Sequence, residues 1–309
     1  MKKFIIKLLS CFIPSRKMRR EFRTQGFHKT NESTCTQCCY TMHEPGHYYS
    51  TIPSVEDVKK HQTKEKSKLS VDILGIDLNL NMQVEYLNQI ESFNKEYLWP
   101  DEKMNEFFYN SVNPMYPTGC GKTLHAMLKI IRPKKIIEIG SGHSTAMMVD
   151  TNRIFLDNSV KITCIEPYPC RLHELFGSDM DKYITLHENK LQDVEMVLFD
   201  ELEDGDILFV DSSHVAKLES DVNKILFEIL PRLKQGVIIH IHDIHYPFEY
   251  PDYWFDMKIF WNETYILRAF LQYNKVFEIV FWGSCVSTLC KPNYNPYSFG
   301  SSIWLRKIL

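Results

Sequence analysis

No apolar run in this chain of 309 residues reaches the ~18 positions that a helix needs to cross a bilayer. A net charge of −3 leaves no general basic excess, which argues against a nucleic-acid binder. The nine cysteines are an odd count, which argues against a fully paired disulfide framework. With no secretory signal recognisable ahead of them, they point to a reducing, cytoplasmic compartment. Internal repeats and low-complexity tracts are also missing. What is present is 44% hydrophobic and 24% charged, a composition that folds around a core.

The amino end differs from the rest. Residues 1–23 carry eight basic side chains against Glu21, interleaved with Phe4, Ile5, Ile6, Leu8, Leu9, Phe12 and Ile13. Lys7 interrupts the apolar run, so a signal peptide is not expected. The pattern predicts a basic amphipathic leader over 1–25 that lies on an anionic leaflet, each nearby basic residue contributing roughly 1 kcal/mol. This places the expected site of action in the cytoplasm, at the inner face of a membrane. Next comes a cluster of Cys35, Cys38, Cys39, His43 and His47. These are zinc-type ligands, but the spacing from Cys38 to His43 is far shorter than that of a zinc finger. Residues 54–68 are rich in Lys and Glu and read as a solvated helix or linker, and 82–97 has helical apolar spacing.

The most informative stretch is Ile136-Ile-Glu-Ile-Gly-Ser-Gly-His-Ser-Thr145. An apolar run suits a strand buried on both faces. Gly140 and Gly142 let a ligand approach the backbone, and a helix opening at Ser144 or Thr145 would aim its positive end at that ligand. Thr145 stands where a dinucleotide fingerprint wants a third small residue. Glu138, inside the apolar run, needs a partner, which a cationic ligand would supply. The pattern resembles the first motif of class I S-adenosylmethionine-dependent methyltransferases, whose cofactor carries an ammonium and a sulfonium. Gly119-Cys-Gly-Lys-Thr123 imitates a phosphate-binding loop, but Tyr116 stands where the full pattern needs glycine.

Further acidic strand ends follow. Glu166 closes a second apolar strand, 24 positions after Gly142, and is placed to accept from ribose hydroxyls. A later strand ends in Asp211-Ser-Ser-His214 and another in His240-Ile-His-Asp-Ile-His245, where open α/β sheets place their chemistry. Strands near 136–140, 161–166, 183–187, 207–211 and 237–242 alternate with helices near 144–151, 170–180, 191–200 and 216–234. A long helix near 255–273 and two last strands near 276–281 and 302–306 follow. The expected fold is α/β: a doubly wound, mostly parallel, seven-stranded Rossmann-like sheet with an N-terminal extension. The domain reading is a leader (1–25), an N-terminal extension and helical cap (26–115) and a methyltransferase domain (116–309).

Several segments together look like methyltransferase family 24. They are Gly46-His-Tyr-Tyr-Ser-Thr-Ile-Pro53, Ile73-Leu-Gly-Ile-Asp-Leu-Asn79, the stretch from Arg132 to Thr145, Ile165-Glu-Pro-Tyr-Pro169, Asp211-Ser-Ser-His214, Ile239 to Ile244, Pro247 to Pro251 and Trp261-Asn-Glu-Thr-Tyr265. The resemblance covers about 46–309. It departs before the first strand, where such proteins usually carry an acidic residue at the head of the helix. It implies S-adenosylmethionine held by Glu138, Gly140, Ser141, Gly142, Ser144, Thr145, Glu166 and Asp211. Methyl transfer to a sugar, polysaccharide or small-metabolite hydroxyl is the expected reaction. His214, His242 and Asp243 are the catalytic candidates, with His214 the base. Asp211, His242 and Asp243 are candidate ligands for Mg²⁺ or another divalent cation. His240 is expected to pack inside and His245 to be a loop residue. Trp254, Phe255, Trp261, Tyr265 and Phe270 could stack on sugar faces but fit a core stripe better. Two rivals stand beside this reading. One is a metal-dependent hydrolase or oxygenase built on His242, Asp243 and His214. The other is a membrane-associated scaffold that retains a cofactor fold without catalysis.

Overall fold

The computed structural model describes residues 42–63, 72–295 and 297–309. The leader and Cys35, Cys38 and Cys39 lie outside the described residues. The chain forms two compact units, 1–64 and 65–309.

In the first unit, α1 (Val55–Gln62) starts at Ser54. The Ser54 hydroxyl accepts from Asp57 N at 3.1 Å, and the Asp57 carboxylate accepts from Ser54 N, a reciprocal cap. Its Lys-rich sequence buries no side chain, as expected of a solvated helix. The His43 and His47 rings stack at 4.1 Å.

The second unit begins with α2 (Leu80–Phe93) and α3 (Thr118–Ile131). The strands and helices that follow are β1 (Lys135–Ile139), α4 (His143–Phe155), β2 (Lys161–Ile165), α5 (Cys170–Phe176), α6 (Met180–Tyr183), β3 (Ile184–His187) and β4 (Ile207–Val210). Next, α7 (Asp221–Lys224) runs through a π-helical turn (Ile225–Ile229) into α8 (Leu230–Arg232). The chain ends with β5 (Ile238–Ile241), α9 (Asp252–Asp256), α10 (Glu263–Leu271), β6 (Phe277–Trp282), α11 (Gly283–Leu289) and β7 (Ile303–Lys307). The sheet order is β3-β2-β1-β4-β5-β7-β6. The first five strands are parallel, and β7 runs antiparallel to both β5 and β6. Side chains of β1 alternate between two cores: Ile137 and Ile139 on one face, Ile136 on the other. The doubly wound expectation holds. Among the described residues no helix is long and apolar enough to cross a membrane.

Four local expectations need correction. The anticipated cap does not stop at 115. Leu87, Ile90, Trp99, Tyr109 and Tyr116 are buried in the same core as Ile136 and Phe209, so 72–115 belongs to the unit that holds the sheet. Residues 191–200 form two 3₁₀ turns, Leu191–Asp193 and Met196–Glu201, rather than an α-helix. Lys224 Nζ takes the carbonyls of Gln192 (3.0 Å) and Val194 (3.4 Å), which a helix would have used internally. The long helix near 255–273 is broken between α9 and α10, where Lys258 adopts a left-handed backbone (φ 62°). The fourth helix of that series, near 216–234, starts only at Asp221, because 213–217 turns back toward Asn262. The residues that imitate a phosphate loop lie in the first turns of α3, which removes that reading.

Candidate active site

Two strand ends that neighbour one another, β1 and β4, create the first half of the site. Gly140 leaves β1 with φ +80°. A Cβ there would stand 1.9 Å from the Asp211 carbonyl oxygen, so only glycine lets the exits of β1 and β4 pass. Gly142 then caps α4, its N–H donating to Thr145 Oγ1 at 2.9 Å. The helix begins at His143, one residue before the expected start. Its positive end faces the carboxyl edge of the sheet, a favourable place for an anionic group. His143 Nδ1 and Ser212 Oγ are buried there without a hydrogen-bond partner among the described residues, the mark of a site that expects polar ligand atoms.

Glu138 behaves differently from the expectation. It is fully buried, and its partners are Ser144 Oγ at 2.6 Å and Thr145 Oγ1 at 2.5 Å, with Cys164 Sγ at 3.5 Å. The hydroxyls that open α4, rather than a ligand cation, satisfy it. Burial pushes its carboxyl up to about 7, against the pull of those hydroxyls. It therefore pins the first turn of α4 to β1 and shapes the cradle. Glu166 accepts from Ser141 N at 3.1 Å on one oxygen and from Tyr168 N at 2.8 Å on the other. Each carboxylate oxygen keeps a second lone pair, so both remain able to accept from a ribose diol.

The ends of β4 and β5 make the second half. Asp211 and His242 each continue the ladder, bonding to Ile139 O and Val210 O at 2.9 Å. Sequence alternation alone would throw His242 and Asp243 to opposite faces. The strand stops at Ile241, and Asp243 turns left-handed (φ 55°), which returns its carboxylate to the His242 side. His242 Nε2 lies 3.6 Å from Asp243 Oδ1 and 3.9 Å from Cys120 Sγ. His214, also left-handed (φ 60°), brings Nε2 to 3.4 Å from Asp211 Oδ1 and 4.0 Å from Asp243 Oδ2. Ser301 Oγ donates to Asp243 at 2.8 Å. The four predicted residues thus converge.

Electrostatics follow from that convergence. Burial alone would raise the Asp211 carboxyl, but the His242 and His214 rings outweigh it and hold it below its ordinary range. Burial would lower both histidines. Asp243 and Asp211 outweigh it at His242, which is pushed up to about 10, and hydrogen bonds that His214 donates to Asp211 and Glu263 hold it well above its ordinary value. A group whose folded value is raised contributes stability that is complete below its unfolded value, near 6.5 for His, and is lost as pH rises through the folded value. His242 therefore stabilises the fold fully below about pH 6.5 and loses that contribution toward about 10. Thermal unfolding should show the melting temperature falling over this window more in the wild type than in His242→Gln, and parallel curves would refute the pairing.

His240 and His245 are not part of the cluster's chemistry. His240 is fully buried and stacked on Phe209 at 3.8 Å, and neither ring nitrogen has a hydrogen-bond partner among the described residues. His245 is a loop residue but a buried one, edge-on to Trp254 at 5.1 Å, and burial pushes it down to about 4. The aromatic stripe divides. Phe270 packs on Phe277, whereas Trp261 stacks on His214 at 4.4 Å and 28° and Trp254 stands edge-on to Trp261.

The expected metal set is not formed. Asp211, Asp243 and His242 have suitable donor atoms, but each carboxylate is turned onto an imidazole at ion-pair distance. Among the described residues no group of three or more His, Cys, Asp or Glu side chains is arranged to hold an ion. Glu263, which accepts or shares the proton of His214 Nδ1 at 2.8 Å, was not anticipated. Its one signal in the sequence was the Trp261-Asn-Glu-Thr-Tyr265 segment.

The chain is similar to several known proteins. The profile of a methyltransferase domain, family 24, matches residues 137–244. An uncharacterised protein of Archaeoglobus fulgidus is 31% identical over 167 residues, 52% of this chain and 74% of that protein. Among solved structures, the SAH-bound Podospora anserina methyltransferase PaMTH1 is 15% identical with a TM-score of 0.40, covering 84% of this chain and 98% of that one. The O-methyltransferase TomG of Streptomyces achromogenes, involved in tomaymycin synthesis and solved with SAM, is 14% identical with a TM-score of 0.40, covering 80% and 99%.

Proposed function

Since the chain belongs to methyltransferase family 24, a class I S-adenosylmethionine-dependent group, we propose that it methylates a hydroxyl of a sugar, polysaccharide or small metabolite. The observation that carries this is the convergence of Asp211, His214, His242 and Asp243 beside the Gly140 turn. S-adenosylmethionine bound there would supply the methyl group to the acceptor oxygen and would leave as S-adenosylhomocysteine, the carbon–sulfur electron pair going to sulfur. The hydroxyl proton passes to His214 Nε2. Three carboxylates favour the imidazolium of His214 in the free protein. A sulfonium bound at the Gly140 turn would oppose that second positive charge and would favour a neutral ring able to act as base.

Glu166 would take the ribose hydroxyls, and the Gly140–Thr145 turn and the start of α4 the methionine end. As arranged, the donors pair with imidazoles, which favours His214 rather than a metal as the group that takes the proton. A divalent cation would have to displace the carboxylate–imidazole pairs. The acceptor is a small molecule or glycan and not a nucleic acid, in keeping with the charge balance.

The test has two parts. Saturating S-adenosylhomocysteine should raise the melting temperature by several degrees, since a ligand at 100 times its Kd contributes about 2.7 kcal/mol. NAD⁺ and ATP should leave it in place. Labelled S-adenosylmethionine is then offered with a panel of sugar and metabolite hydroxyls, in EDTA and in Mg²⁺. Turnover surviving EDTA supports the histidine reading. A strict need for Mg²⁺ replaces it with a metal-held hydroxyl, and no shift with S-adenosylhomocysteine removes the methyltransferase reading.

The basic leader favours work at an anionic membrane surface, where a membrane-associated acceptor would be found. Full-length protein should co-sediment with anionic vesicles and a variant lacking 1–25 should not. Equal pelleting would remove the membrane from this account.

A further inference from the structure

One short segment holds both the backbone and the ring of His214. The His214 backbone carbonyl accepts from Asn262 N and Glu263 N, both at 3.2 Å. The Asn262 side chain closes on Ala216 with both ends, accepting from its N–H at 2.6 Å and donating to its carbonyl at 3.1 Å. Trp261 lies against the ring face at 4.4 Å. Glu263, only 1% exposed, sets Oε2 2.8 Å from Nδ1. All three residues sit where the chain leaves α9 and enters α10.

We propose that Glu263 is a positioning residue, accepting the Nδ1 proton of His214 so that Nε2 faces Asp211 and Asp243, where the acceptor's proton is taken. A neutral imidazole has one donor and one acceptor nitrogen. With the Nδ1 proton committed to a carboxylate, the lone pair must reside on Nε2. A buried carboxylate is costly without a partner, and in this place the ring is the partner. Glu263 also opens α10, where its charge suits the helix dipole, but a residue there for the dipole alone would sit on the surface rather than under the ring. Trp261 blocks one ring face and the Asn262 clasp fixes the left-handed loop, so the ring keeps one orientation.

The inference rests on the reading of His214 as base, and its test separates the two. Full-length protein labelled with ¹⁵N-histidine is observed by NMR, with and without S-adenosylhomocysteine. A downfield, solvent-protected ring proton on Nδ1 is expected, assigned to His214 by its loss in His214→Asn. Glu263→Gln should move it upfield and speed its exchange about tenfold, the difference between a charge-assisted and a neutral hydrogen bond. Glu263→Asp should restore it in part. Affinity for S-adenosylhomocysteine should stay within about threefold in both variants, because neither touches the cofactor cradle. A wild type without a protected Nδ1 proton at His214, or one unchanged in Glu263→Gln, overturns the proposal. The wild-type spectrum alone decides it if the Gln variant does not fold. Failure of S-adenosylhomocysteine to bind the wild type removes the proposed reaction instead, and the proton still reports on Glu263.

Discussion

Asp243→Ala should lower turnover about 10³-fold while affinity for S-adenosylhomocysteine stays within about tenfold. Asp243 faces both imidazoles, at 3.6 Å from His242 Nε2 and 4.0 Å from His214 Nε2, and is not part of the Gly140 turn proposed to take the cofactor. Its loss takes away a carboxylate that orients the base and the acceptor and leaves two buried rings with one carboxylate fewer. Its backbone is left-handed, a conformation that alanine tolerates poorly and asparagine well. Asp243→Asn is therefore the companion variant. It can keep the hydrogen bond from Ser301 and the turn while removing the charge, and should be as slow as the alanine variant. The measurement is kcat with whichever acceptor the wild type methylates fastest, beside calorimetric binding of S-adenosylhomocysteine. Turnover within threefold of wild type in the Asn variant would remove Asp243 from the chemistry.

Gly140→Ala should abolish cofactor binding through geometry alone. The new Cβ would meet the Asp211 carbonyl oxygen at 1.9 Å, and the backbone already has φ +80°. Neither partner can yield cheaply, because Asp211 N is bonded to Ile139 O across the same strand pair. The cost is about 3–5 kcal/mol, and any relief moves Asp211 out of the cluster. Affinity for S-adenosylhomocysteine should fall beyond about 100-fold, or 2.7 kcal/mol. Gly205→Ala is the control. Gly205 has φ +81° but open space where its Cβ would stand, so it should lose about 1 kcal/mol of stability and none of the affinity. Equal effects at the two glycines would mean that strain, not the contact with Asp211, is what matters at Gly140.

The sequence by itself determined the strands, because a parallel strand buried on both faces leaves an apolar run that needs no partner to be seen. It also marked the polar groups at their carboxyl ends: Glu166, Asp211, His214, His242 and Asp243 stand at or just past such runs, and a glycine turn followed by hydroxyl residues marks the start of α4. Tertiary structure decided how those groups meet. That Asp243 turns back to face His242 depends on a left-handed residue that no alternation predicts. That Glu138 is satisfied by Ser144 and Thr145 depends on how closely α4 returns onto β1. The break between α9 and α10 was hidden because Trp261 and Tyr265 continue a helical apolar rhythm. Its cause lies 46 residues away, in the Ala216 backbone that Asn262 clasps. The role of Glu263 was hidden for the same reason: its partner is 49 residues distant. Periodicity is a property of neighbours along the chain, whereas a buried carboxylate is kept by whichever side chain the strand order β1-β4-β5 brings against it.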